Sequence, residues 1–317
     1  MSIRLICASH TPLMDHIEAD GATESNVRSH FRNLAREVSD YDPEVVVIFA
    51  PDHFKGFFYD VLPSFTIGVR AVAIGDYGIG SGSLDVPESL ALQCLEACRQ
   101  ADVDPAISYR MRVDHGFAQL LVLLGGRVDR WPCIPIHINC AGSPLPGFRR
   151  VRRLGEAVGK WARQLEKRVL LLGSGGLSHD PPIPNLRTAS PAVADKLIDN
   201  RNASPQELLA REQANFEVAR RLMRGEGNAL PLNPQWDLSF MQDMAAGRLE
   251  ALDSLAEDTL ASVAGCGGHE VRNWVAAYAA LGACGPYQAE NIFYQDIAAW
   301  NAGMGIAAAR PRENPKP

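Results

Sequence analysis

The sequence predicts an α/β protein that gives way to helices in its last third, and three observations carry that expectation. Short apolar runs rich in Val and Ile alternate with segments of helical spacing through the first two-thirds; from about residue 190 the spacing is helical. Four histidines, His10, His53, His115 and His179, each stand just past the end of a strand-like run. Strand ends of an open α/β sheet face the crevice where ligands bind, so these side chains are expected to meet.

In order along the chain, residues 3–8 form the first apolar run and end at Ser9-His10. Residues 24–39 carry helical spacing. Residues 44–50, EVVVIFA, are almost uninterruptedly β-branched and close on Pro51-Asp52-His53, which suits a strand covered on both faces. A strand is expected at 65–69, a helix at about 87–101, and a strand at 106–110 leading into Val113-Asp114-His115-Gly116. Residues 133–139 and 168–172 read as two more strands, with a helix near 148–166 between them. Breaks at 202–205, 225–234 and 265–268 divide the last third into helices. One domain over 1–308 is expected, with a disordered tail over 309–317, because the chain becomes charged and proline-rich there.

The totals narrow the function. A chain of 317 residues with 46% hydrophobic content can bury a sizeable core. A net charge of −6 and a pI near 5.8 leave no broad basic surface, so nucleic acid is not the expected partner and a small molecule is. The first residues lack a secretory pattern, and no apolar run approaches the ~18 residues of a spanning helix. A soluble cytoplasmic protein without a membrane partner is the expectation. The seven cysteines are an odd set lying partly inside apolar runs, which fits reduced buried thiols; Cys94 and Cys98, four apart on a helix, read as structural.

A lone histidine in a loop is usually an ordinary polar residue, but His10 and His53 sit at equivalent strand ends, which makes them the best metal-ligand candidates. Glu270, in Gly267-Gly268-His269-Glu270, opens a helix running through Trp274 and Tyr278. A glutamate there is commonly just a partner for the helix dipole. Two imidazoles and a carboxylate nevertheless form the facial set of non-haem Fe(II) oxygenases. Zinc is the chemical rival, yet His269-Glu270 is followed by Val271-Arg272-Asn273, so the zinc-protease spacing is absent. Asp114 reads either as the cap of a helix or as the carboxylate that orients His115 as a proton donor. His179 closes a glycine-rich stretch, Gly173 to Ser178, ahead of Asp180-Pro181-Pro182. As a dinucleotide fingerprint that stretch lacks the third glycine, and as a nucleophile elbow on Ser174 it lacks the first. His137 reads as a satisfied sheet residue, and His16 and His30 as surface positions.

Several blocks together resemble a known family: Ser9-His10-Thr11-Pro12-Leu13, Phe49 to His53 with Gly56 to Asp60, Val113 to Gln119, Leu172 to His179, Leu232-Asn233-Pro234-Gln235-Trp236, and His269-Glu270. They resemble the class III extradiol dioxygenases, the superfamily of the protocatechuate 4,5-dioxygenase β subunit, and within it the 2,3-dihydroxyphenylpropionate 1,2-dioxygenases. The resemblance runs from about residue 2 to about 305. It implies a three-layer α/β fold on a central mixed sheet and an oligomeric assembly. It also implies Fe(II) held by His10, His53 and Glu270, His115 as proton donor and His179 as proton acceptor. A catechol bearing a propionate or acrylate side chain and O₂ are the implied substrates. Another substituted catechol, a zinc hydrolase on the same scaffold, and a non-catalytic binding protein are the alternatives. Which basic residue meets the side-chain carboxylate is left open, with Arg112, Arg149 and Arg187 among the candidates.

Overall fold

The computed structural model describes residues 2–312. The chain begins with β1 (Ser2–Ala8), α1 (Gly21–Tyr41), β2 (Val45–Ala50), β3 (Phe65–Gly68), β4 (Ala71–Ile74) and β5 (Ser81–Ser83). It continues through α2 (Glu88–Gln100), β6 (Ala106–Ser108), β7 (Met111–Val113), α3 (His115–Gly125), β8 (Cys133–Ile138), α4 (Phe148–Gln164) and β9 (Arg168–Ser174). Five helices follow, α5 (Pro191–Ile198), α6 (Pro205–Met223), α7 (Pro234–Ala245), α8 (Glu257–Ala264) and α9 (Val271–Gly282), before β10 (Tyr287–Ile297) and β11 (Ala302–Pro311).

Side chains that alternate along a strand face opposite sides of a sheet, and here both sides are covered. Ile3, Leu5, Val45, Val47, Val169 and Leu171 pack with residues of α4 and α9 on one face. Their neighbours Ile6, Val46, Ile48, Leu170 and Leu172 pack with residues of α1 and α3 on the other. That double coverage is why the runs in β1, β2 and β9 carry almost no polar residue, and it produces the expected three layers. The helix α4 lies unusually close to α9: a methyl on Gly155 or Gly159 would overlap the carbonyl oxygens of Ala276 and Ala280. All seven cysteines are free, and five of them are buried.

The main sheet has the order β10-β11-β1-β9-β2-β8-β3-β6. Strands β1, β9 and β2 are parallel neighbours, so their carboxyl ends open at one edge of the sheet. A second sheet, β5-β4-β7, stands apart from it and delivers the chain into α3.

Two expectations need correction. The last third is not wholly helical: residues 287–311 form a hairpin whose inner strand β11 pairs antiparallel with β1, matching Leu5 with Ala309 and Ala8 with Ile306. Ala and Gly dominate β11 and have low strand propensity; pairing with a strand three hundred residues away overrides it. Ala309, Arg310 and Pro311, expected in the disordered tail, belong to β11, and 313–317 lie outside the described residues.

Candidate active site

The sequence folds so that each strand-end histidine is braced from behind. After β1, the Ser9 hydroxyl donates to the Gly303 carbonyl (2.8 Å) and accepts from Gly305 N (2.9 Å), anchoring the turn to β11. His10 Nδ1 then lies 3.1 Å from the Ser174 hydroxyl at the end of β9. After β2, Asp52 accepts hydrogen bonds from the backbone N–H groups of Lys55, Gly56 and Phe57, which curls the chain into a tight turn. Burial lifts the Asp52 carboxyl to about 7, with the nearby Asp114 charge adding to it against those three donors. His53 donates from its backbone N (2.8 Å) and from Nδ1 (2.9 Å) to one oxygen of Asp114, whose other oxygen caps α3 at Gly116 N.

His115 therefore does not lean on its neighbour Asp114. Its Nδ1 donates to Asp76 at 2.7 Å and its backbone N to the other Asp76 oxygen at 2.8 Å. The expectation that Asp114 orients His115 is thus corrected: one carboxylate caps α3 and holds His53, and a different one, following β4, holds His115. Asp76 was not legible because it lies 39 residues upstream in Gly75-Asp76-Tyr77-Gly78, which reads as a plain turn.

His179 is held by a third device. Its Nδ1 donates to the Leu177 carbonyl (3.1 Å) and its ring lies against Gly176 and Gly267, where any Cβ would overlap it. The preceding Ser178 donates from its N and hydroxyl to Asp237 of α7, which also accepts from the Tyr294 hydroxyl; Asn233 N in turn donates to the Ser178 hydroxyl. The block at 232–236 therefore serves to fix the His179 turn.

Glu270, at the entry to α9, joins these parts. Its Oε2 accepts from Gly176 N at 2.8 Å and lies 3.7 Å from His10 Nε2, while Oε1 lies 3.1 Å from His53 Nε2 and 3.4 Å from His179 Nε2. Burial alone would raise the Glu270 carboxyl, but His179 and His10 outweigh it and hold it well below the usual range. Burial likewise opposes charge on His53, yet Asp114 and Glu270 push it well above its ordinary value; His179 is raised against burial by Glu270. His10 goes the other way, down to about 3, because burial exceeds the help from Glu270.

The arrangement suits a metal ion. In a metal site the ring nitrogen that faces away from the ion is normally hydrogen-bonded, which fixes the tautomer and aims the other nitrogen. Each of the four imidazoles has Nδ1 bonded in this way. His10, His53 and His115 lie close enough together to share an ion. His10 and His53 stand nearly perpendicular (87°) with Glu270 between them, whereas His115 is stacked almost parallel on His53 at 4.3 Å. Lone pairs lie in the ring plane, so two stacked rings do not both aim at one ion, and His10 stands nearly perpendicular to His115 (82°) as well as to His53. Ring orientation alone pairs His10 with either His53 or His115; Glu270 lies within 4 Å of His10, His53 and His179.

All four histidines line a cavity of about 590 Å³, with Lys55, Tyr77 and Arg211 among its other walls, and residues 181–184, α5 and α6 closing its outer side. That volume is typical for a small organic ligand. His137, expected as a satisfied sheet residue, is buried in β8 without a hydrogen-bond partner on either ring nitrogen; it stacks on Phe57 at 4.1 Å, and burial lowers it to about 3.

Comparison with known proteins agrees with this architecture. Residues 4–305 match the model of the catalytic LigB subunit of aromatic ring-opening dioxygenase. A 2,3-dihydroxyphenylpropionate/2,3-dihydroxicinnamic acid 1,2-dioxygenase of Photorhabdus laumondii is 49% identical over 311 residues, 98% of each chain. Proteins of the same name from Paraburkholderia xenovorans and Burkholderia vietnamiensis are 46% and 44% identical, again over 98% of each chain. Among solved structures, an uncharacterized protein from Escherichia coli K12 shares the fold at a TM-score of 0.54 and 14% identity, covering 96% of this chain and 98% of that one. With a family model spanning nearly all of its length and relatives this similar, the chain belongs to the LigB family of aromatic ring-opening dioxygenases.

Proposed function

We propose that this protein is an Fe(II) extradiol dioxygenase that opens the ring of 3-(2,3-dihydroxyphenyl)propionate with O₂ to give 2-hydroxy-6-oxonona-2,4-dienedioate, and that it also accepts 2,3-dihydroxycinnamate. The observation that carries the reading is the convergence of four braced imidazoles on one ligand-sized cavity, with the buried Glu270 carboxylate against three of them. The names of the similar proteins supply the substrate.

In this reading His10, His53 and Glu270 hold the iron, which supplies open positions for the two catechol oxygens and O₂ and a path for electrons between them. His179 donates Nδ1–H to a carbonyl, so its Nε2 is the available base for a phenolic proton. His115 is the acid: Asp76 behind Nδ1 supports positive charge on the ring, as a buried carboxylate does in hydrolase triads. Each histidine is expected to contribute about 10²- to 10⁴-fold in rate. The proposal extends to a single catalytic domain, a cytoplasmic location and a homo-oligomeric assembly, the last checked by light scattering. Among the described residues no helix is long and apolar enough to cross a membrane.

The test is anaerobic loading with Fe(II) or Zn(II), followed by air and substrate. Only the iron form is expected to give the yellow ring-fission product. His115→Ala and His179→Ala should keep iron and lose cleavage, while His53→Ala should lose iron. Turnover by the zinc form, or wild-type turnover in His115→Ala, would sink the reading.

A further inference from the structure

We infer that Lys55 is the residue that receives the side-chain carboxylate of the substrate and so sets the preference for acidic catechols. This rests on the proposed substrate class and adds to it a specific recognition group. Lys55 lies two residues beyond His53, inside the turn that Asp52 curls. Lys55 is only 5% exposed and forms part of the cavity wall; its ammonium is sealed from solvent and, among the described residues, has no hydrogen-bond partner, so a ligand in the cavity meets it through a rotation of the side chain. An unpaired buried cation costs several kcal/mol of desolvation, so such a group is normally found with a compensating anion. The aromatic contact it makes is weak: Nζ sits 5.7 Å from the centre of the Tyr77 ring, near the outer limit of a cation–π contact.

The other basic side chains of the cavity are poorer candidates. Arg211 spends its guanidinium on the carbonyls of His53 and Phe54 (3.2 and 3.3 Å), and Lys196 is exposed to water. Arg112, Arg149 and Arg187 do not line the cavity; Arg112 donates to the Arg201 carbonyl at the surface, and the other two are exposed. Position also favours Lys55. Tyr77 stands edge-on to His115 with ring centres 5.1 Å apart, so Lys55 and the acid–base group face the same aromatic ring. A propionate chain carries its carboxylate about three C–C bonds, roughly 4 Å, from the catechol ring. That reach is comparable to the span of one aromatic side chain. A charge-assisted hydrogen bond inside a cavity is also the kind that discriminates most sharply against a ligand lacking the charge.

The experiment compares 3-(2,3-dihydroxyphenyl)propionate with the uncharged 3-propylcatechol in the iron-loaded enzyme and in its Lys55→Met and Lys55→Arg forms. Lys55→Met should raise KM for the acid about 10- to 100-fold while changing KM and kcat for propylcatechol less than threefold, and Lys55→Arg should recover most of the loss. Inhibition of propylcatechol turnover by 3-phenylpropionate, which has the carboxylate and no catechol, should weaken in parallel in Lys55→Met. Propylcatechol turnover also reports that the variant is folded. An equal loss on both substrates, or an unchanged preference for the acid in Lys55→Met, overturns the assignment of Lys55 alone. A wild-type enzyme with no preference for the acid overturns the substrate reading and this inference with it.

Discussion

Replacing Gly267 by Ala should disable His179 by displacing its ring. A methyl at that position overlaps Nε2, Cδ2 and Cε1 of the His179 ring, and Gly176 also lies against the ring, which leaves the imidazole little room to retreat. Restoring ordinary contact at 3.4 Å requires the ring to move by about 1 Å, and a misplacement of that size in a reacting geometry costs about 10²-fold. That is about 2.7 kcal/mol on the barrier. Loss of the acid–base contribution altogether would reach about 10⁴-fold. The assay is ring-fission kcat on iron-loaded enzyme, with bound iron and melting temperature measured on the same sample. Iron is expected to remain, since Gly267 does not contact His10 or His53. The decisive control is Gly267→Ala in a His179→Ala background, where the methyl has nothing to displace and should be nearly silent. A single variant with kcat within threefold of wild type, or an equally large loss in the double variant, would refute the reasoning.

The two carboxylates behind the histidines should separate by role. Asp114→Asn removes the negative charge behind His53 and leaves one acceptor oxygen for both His53 and the α3 cap, so it should weaken iron binding 10- to 100-fold, whereas Asp76→Asn should leave iron affinity within threefold and lower kcat. Comparable iron loss in both, measured by competition with a chelator, would make His115 a ligand and not an acid. His137 should give an acid-side instability. Its folded value, about 3, lies below the ordinary 6.5, so as pH falls the unfolded chain takes up the proton first and stability is lost downward from about pH 6.5. Between pH 8 and pH 5 this amounts to about 2 kcal/mol. Urea unfolding of His137→Leu should show that much less pH dependence than wild type, and parallel curves would exclude His137 as the source.

Much of this site was visible in the sequence, and the reason is physical. Strands β1, β2, β8 and β9 are covered on both faces, so their apolar runs are continuous, and the polar residues that end them announce themselves. His10, His53 and His179 could therefore be placed at strand ends, and Glu270 stood out through the glycines before it. What escaped was whatever depends on distant partners. The hairpin of β10 and β11 is Ala- and Gly-rich in its inner strand because Gly303 and Gly305 must clear Asp237 and Leu177, a demand that no local pattern expresses. Asp76 reads as a turn residue until the second sheet brings it under His115. Lys55 reads as a surface lysine until Asp52 curls the chain inward. Asp114 was singled out but given the wrong partner, since adjacency in sequence favoured His115 and the backbone direction at the start of α3 favours His53.

The cavity wall has an evolutionary consequence. The residues proposed to hold the ion and move protons come from five separate places in the chain, at positions 10, 53, 115, 179 and 270, each locked to the sheet or its connecting helices. Most of the outer wall comes instead from one continuous stretch, residues 181–222. Substitutions, insertions or recombination within that stretch reshape what fits while leaving the reaction chemistry untouched. A lineage carrying this scaffold can reshape its binding cavity by rewriting about forty consecutive residues, and, apart from the charge preference assigned to Lys55, the record of its substrates should be concentrated there.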